Sequence, residues 1–92
     1  MNIHEANDLL TPMRPDGIEL YETGVILDAI RWQVDQGSAV VELWEDGDVI
    51  IRLPKDKPSK MVMFSPEQMQ WLGTVGICAE RIKKIWDEEQ GN

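Results

Sequence analysis

Between Val40 and Leu53 the chain reads VVELWEDGDVIIRL, two apolar runs broken by Glu45-Asp46-Gly47-Asp48. This is the pattern of a β-hairpin, and burial decides its register. A two-residue Asp46-Gly47 turn would set Trp44 against Val49 and Glu42 against Ile51, leaving an acid in the middle of the apolar face. A three-residue loop, Glu45-Asp46-Gly47, with the glycine in a left-handed bulge, sets Leu43 against Val49, Val41 against Ile51 and Ala39 against Leu53. A slip of one residue turns every side chain to the opposite face, so burial selects the register that separates apolar from polar. The three-residue loop is predicted, and Trp44, Asp48, Glu42, Ile50, Val40 and Arg52 then share the outer face.

The same reading places the other elements. Ile3, Ala6 and Leu10, spaced by three and four, predict a short helix over residues 3–10. TPMRPDG ends it with two prolines and a glycine, and IELY (18–21) reads as a short strand. Residues 24–36 fit two patterns. As a helix, Ile26, Leu27, Ile30 and Val34 share one arc and Asp28, Arg31 and Asp35 another, with Thr23 as cap and Gly37 as stop. As a strand, Ile30, Trp32 and Val34 alternate with Arg31, Gln33 and Asp35, but the alternation fails at the consecutive Val25, Ile26 and Leu27. The helix is favoured. After the polar loop 54–60 a strand is predicted at 61–64, short because Pro58 cannot donate to a ladder. FSPEQMQWL then starts a long helix over about 66–88. Ser65 is its cap, Pro66 its first residue and Gln68 the reciprocal capping residue. Trp71, Leu72, Val75, Cys78, Ala79, Ile82, Ile85 and Trp86 form its apolar stripe, and Arg81, Lys83 and Lys84 lie toward its negative end.

The predicted architecture is α+β: a two-layer sandwich in which a three-stranded antiparallel meander carries helices on one face. Its order is α-β-β-β-α over residues 24–88, preceded by an N-terminal arm over 1–23. Ninety-two residues make one domain. Double-stranded-RNA-binding domains share that order of elements. They use basic residues at the start of the last helix, where this chain reads SPEQMQ with Glu67 and no lysine, so the topology does not bring that function with it.

Charge changes the picture more than composition does. Seventeen acids against nine bases give a formal charge of −8. That disfavours a nucleic-acid binder and an anionic membrane surface. It is explained by solubility or, more sharply, by a surface that imitates a polyanion and occupies a basic groove, and the expected partner is a protein with a basic surface. No apolar stretch approaches the ~18 residues of a membrane span, and the N-terminus lacks the basic and apolar regions of a signal peptide. The single cysteine, Cys78, fits a reducing, cytoplasmic setting.

Catalytic chemistry is not indicated. His4 is the single histidine, no Cys/His cluster has zinc spacing, no glycine-rich loop precedes a helix, and EDGD lacks the pattern of a calcium loop. No cofactor, metal or enzymatic activity is expected. What stands out is the outer hairpin face, where Trp44, Ile50 and Val40 sit among Glu42, Asp48 and Arg52, as in a contact site. The competing reading is that the N-terminal arm folds across and buries it. Trp44 is the expected anchor for a partner, with Glu42, Glu45, Asp46 and Asp48 steering encounter and Ile50 and Arg52 completing the patch. A second strip, Met69, Gly73, Gly76 and Ile77, lies off the main helix stripe. Two helical glycines call for compensation, which close approach of another backbone would supply, either a helix of the arm or a second copy in a homodimer; the alternative is a tolerated bend. The chain is therefore expected to be a small acidic interaction protein, a regulator or inhibitor that occupies a partner's surface. The alternatives are a polyanion mimic that competes with nucleic acid and a noncatalytic subunit of a larger assembly.

Overall fold

The computed structural model describes residues 1–21, 29–35, 39–55 and 62–91. Its elements are α1 (Ile3–Leu10), β1 (Ile18–Tyr21), β2 (Ala29–Val34), β3 (Ala39–Trp44), β4 (Val49–Arg52) and α2 (Pro66–Glu89). The strands form one antiparallel meander in the order β1-β2-β3-β4, so the fold is α+β.

Alternation along the strands builds the core. Ile18, Ile30, Trp32, Val34, Ala39, Val41 and Leu43 turn to one side and are buried there. Ile3, Ala6 and Leu10 of α1 and Trp71, Val75, Cys78, Ala79 and Ile82 of α2 close over them in the same cluster. Trp32 meets Trp71 edge to face, with ring centroids 5.0 Å apart and planes at 87°. The Trp71 indole donates at 3.4 Å to the Leu10 carbonyl at the end of α1, which also accepts from the Met13 N–H at 3.1 Å. Both helix starts are capped by side chains: Asn2 accepts from the Glu5 N–H, and Ser65 and Gln68 complete a reciprocal capping box.

The hairpin has the predicted register, with Leu43 opposite Val49 and Val41 opposite Ile51. The Gly47 N–H donates to the Trp44 carbonyl and the Trp44 N–H to the Asp48 carbonyl, each at 2.9 Å. Gly47 has φ +89° and is buried beneath α2. A Cβ there would fall 2.6 Å from Lys83 Cβ and 2.7 Å from both the Ala79 carbonyl oxygen and the Lys83 nitrogen. The turn is thus pressed against the backbone of α2.

Three expectations need correction. Residues 29–34 of the favoured 24–36 helix form β2, whose Ile30, Trp32 and Val34 are buried while Arg31 and Gln33 point outward; residues 24–28 and 36 lie outside the described ones. Burial between two flanking strands favours β-branched and aromatic side chains at every second position, and this overrides the local helical pattern. The strand predicted at 61–64 is not formed over residues 62–64, where Val62 and Phe64 pack against the core without joining a ladder, and residue 61 lies outside the described residues. The sheet instead gains its fourth strand from the N-terminal arm, through β1. Finally, α2 has the expected extent, Pro66–Glu89, but its last turn holds Asp87, Glu88 and Glu89 and no base. Those acids face the negative end of the helix dipole, an unfavourable placement that Arg81, Lys83 and Lys84 lie too early to relieve.

Candidate interaction surface

The helices cover one side of the sheet, and among the described residues nothing covers the other. The described residues of the N-terminal arm, 1–21, do not fold across it, because α1 packs into the helix layer and β1 joins the sheet. Strand alternation brings Tyr21 from β1, Arg31 and Gln33 from β2, Val40, Glu42 and Trp44 from β3, and Ile50 and Arg52 from β4 onto this open side. Tyr21, Arg31, Gln33, Val40, Glu42 and Arg52 line a shallow depression of about 450 Å³.

Glu42 organises the depression. It is 2% exposed, although it lies on the open side. Arg31 stands directly across from it on β2, with Nε 2.6 Å from Oε2. Arg52, diagonally across on β4, donates from Nε to Oε1 at 2.9 Å. The Trp44 indole, two residues along the same face, donates to Oε1 at 3.1 Å. Neighbours directly opposite, diagonal and two residues along a strand are the ones within side-chain reach, so the register alone brings the four groups together. Burial works to raise the Glu42 carboxyl. The hydrogen bonds from Arg52 and Trp44 and the charges of Arg31 and Arg52 outweigh it, holding the group below the usual glutamate value. Two guanidiniums meet one carboxylate in the depression, and the exposed Glu19 of β1, opposite Gln33, brings a second carboxylate to the face, so its charges balance in a chain of net charge −8.

The residues expected to meet a partner divide on this geometry. Trp44 is half-buried on the open face with its indole N–H fixed by Glu42. Ile50 and Arg52 lie beside it, with the Arg52 side chain 57% exposed. Glu42 is internally neutralised. Asp46 accepts from the Asp48 N–H at 3.0 Å, and the Asp48 carboxylate pairs with Lys83 of α2 at 3.3 Å. Glu45 stays exposed. Tyr21, Arg31 and Gln33 were not anticipated. The signal for the last two was the alternation of Arg31 and Gln33 with Ile30, Trp32 and Val34, and it becomes legible once β2 is a strand.

The second strip, Met69, Gly73, Gly76 and Ile77, faces solvent, with Met69 52% and Ile77 55% exposed. A Cβ at Gly73 or Gly76 would meet nothing within 4 Å, so no backbone of this chain packs against either glycine. Replacing both by alanine is expected to raise stability by about 1 to 2 kcal/mol, since each glycine costs an exposed helix interior roughly 1 kcal/mol. Urea denaturation of the double variant checks this, and an unchanged or lowered midpoint would contradict it.

Among the described residues no group of His, Cys, Asp or Glu side chains could hold a metal ion, and no helix is long and apolar enough to cross a membrane. The Cys78 thiol is buried, and burial raises its pKa against the opposing charge of Arg81. It serves as an apolar filler of the core. Comparison with models of known families, with curated proteins and with solved structures gave no match.

Proposed function

We propose that the chain is a small protein-interaction module, a regulator or inhibitor that occupies a surface of a partner with the open side of its sheet. The observation that carries this reading is Trp44, half-exposed on an uncovered face and oriented by a hydrogen bond to a buried carboxylate. An anchor held in place before contact loses little side-chain freedom on binding, which favours affinity. The company around it, one tyrosine, two arginines and the apolar Val40 and Ile50, is the mixture enriched at protein interfaces. The exposed acids at Glu45 and along α2 lie off this face. They favour approach to a basic partner without having to be buried in the contact.

Polyanion mimicry has less support. Of the four hairpin acids, Glu42 is buried and clamped by two arginines, while the exposed Asp48 pairs with the exposed Lys83. A mimic needs its acids unpaired and ranged along a surface.

A photo-crosslinking amino acid placed at Tyr21, which is 50% exposed on the open side, tests the reading in the native cell. The same group placed at Glu80, exposed on α2, is the control. A discrete adduct from position 21 and none from position 80 is the expected result. Adducts from position 80 alone would move the contact to the helix layer.

A further inference from the structure

The two edges of the sheet differ. At β1 the inward residue Ile18 is 3% exposed beneath the helices. At β4 the inward residue Val49 is 37% exposed and Ile51 42%, and Leu53 just beyond is 45%. Natural edge strands are usually blunted by charges, prolines or a covering element. Here the inward row is wholly apolar, and among the described residues no strand pairs with its outer side. The bond from the Trp44 N–H to the Asp48 carbonyl sets the ladder's alternation: even-numbered residues of β4 face β3, and Val49, Ile51 and Leu53 turn their backbone groups outward. Pro54, an even position, takes no donor from that row.

We propose that a second copy of this chain pairs with β4 along this edge, antiparallel, about a two-fold axis at Ile51. That register sets Val49 against the partner's Leu53 and Ile51 against the partner's Ile51. Every outward backbone group of the three residues gains a complement, and the two apolar rows become one. Charge selects the same arrangement. The strand carries acids at its turn end, Glu45, Asp46 and Asp48, and bases at its other end, Arg52 and Lys55. Antiparallel self-pairing brings each end beside its opposite, whereas parallel pairing would set like on like. The contact is isologous, as a closed dimer requires. It joins two four-stranded sheets into one and leaves both open faces free on the same side.

Sedimentation equilibrium of the full chain from about 1 µM to about 500 µM tests the pairing, the range in which a short edge contact is expected to dissociate. The wild type is expected to pass from monomer to dimer across it. Ile51→Lys, at a site already in solvent, is expected to keep its fold by circular dichroism and to remain monomeric, because two lysines would meet at the axis. Ile77→Lys on α2 is expected to dimerise as the wild type does. A wild type that stays monomeric throughout would overturn the proposal, as would an Ile51→Lys chain that dimerises normally. Loss of the dimer in Ile77→Lys alone would do the same. Directly opposed residues in such a pair lie about 5.5 Å apart at Cα, within disulfide reach. Ile51→Cys is therefore expected to crosslink at least about tenfold faster than Ile77→Cys under mild oxidation, through the raised local concentration of the paired thiols, and equal rates would count against the register.

Discussion

Gly47→Ala is expected to destabilise the protein by about 3 kcal/mol, which for a domain of this size lowers the thermal midpoint by about 15 °C. Two effects add. The residue sits at φ +89°, where an L side chain costs about 1 to 2 kcal/mol. Its Cβ would also lie 2.7 Å from the Ala79 carbonyl oxygen and the Lys83 nitrogen, which belong to helix backbone and cannot step aside as a flexible side chain could. The turn would have to lift from α2, loosening the hairpin and the buried Ala79 and Ile82 beneath it. Gly47→Asn separates the two effects. Asparagine tolerates the left-handed backbone but keeps the Cβ, so it is expected to recover less than half of the loss. A nearly neutral asparagine variant would show that backbone conformation alone demands the glycine and that the close approach does not matter.

The second large effect is expected at Glu42. Removing one partner of a buried charge cluster costs about 3 to 5 kcal/mol when all members are buried. Here the arginine side chains are 29% and 57% exposed, so Glu42→Ala is expected to cost about 2 kcal/mol after solvent screening of the stranded guanidiniums. The carboxylate also ties stability to pH. Its pKa is depressed in the folded state, so the folded chain binds fewer protons than the unfolded one near that pH. The contribution is complete above the ordinary glutamate value of 4.5 and is lost as pH falls through the lower folded value. Glu42→Gln has no such titration. Urea unfolding as a function of pH is therefore expected to show a stability gap between wild type and Glu42→Gln that is steady near neutrality and closes on acidification. A gap that persists unchanged into strong acid would mean that the interaction does not depend on the charge of Glu42.

The same cluster explains how much the sequence could reveal. Elements fixed by local chemistry are legible: the Ser65-Pro66-Gln68 start of α2, the spacing of Ile3, Ala6 and Leu10, and the glycine bulge that sets the hairpin register all have the predicted form. The nature of residues 29–34 is decided instead by neighbours far along the chain, β1 on one side and β3 on the other. Read as a helix, the segment hides the clamp, because Arg31 reaches Glu42 only across a strand pair. Glu42 then looks like an exposed acid of a contact patch, whereas it is a buried one that fixes Trp44 and two arginines. The exposed row on β4 was hidden for a related reason. A strand expected at residues 61–64 would have left β4 inside the sheet, and its absence over residues 62–64 makes β4 an edge.

With a partner captured through position 21, calorimetry at fixed salt on three chains tests the role of the open face most directly. The chains are the wild type, Trp44→Ala, and a chain with the exposed Glu45, Glu88 and Glu89 all reversed to lysine. Loss of a central tryptophan is expected to weaken binding by about 30-fold or more, equivalent to about 2 kcal/mol, and the charge reversal by no more than about fivefold. A Trp44→Ala chain that binds as tightly as the wild type, beside a charge-reversed chain that no longer binds, would contradict it.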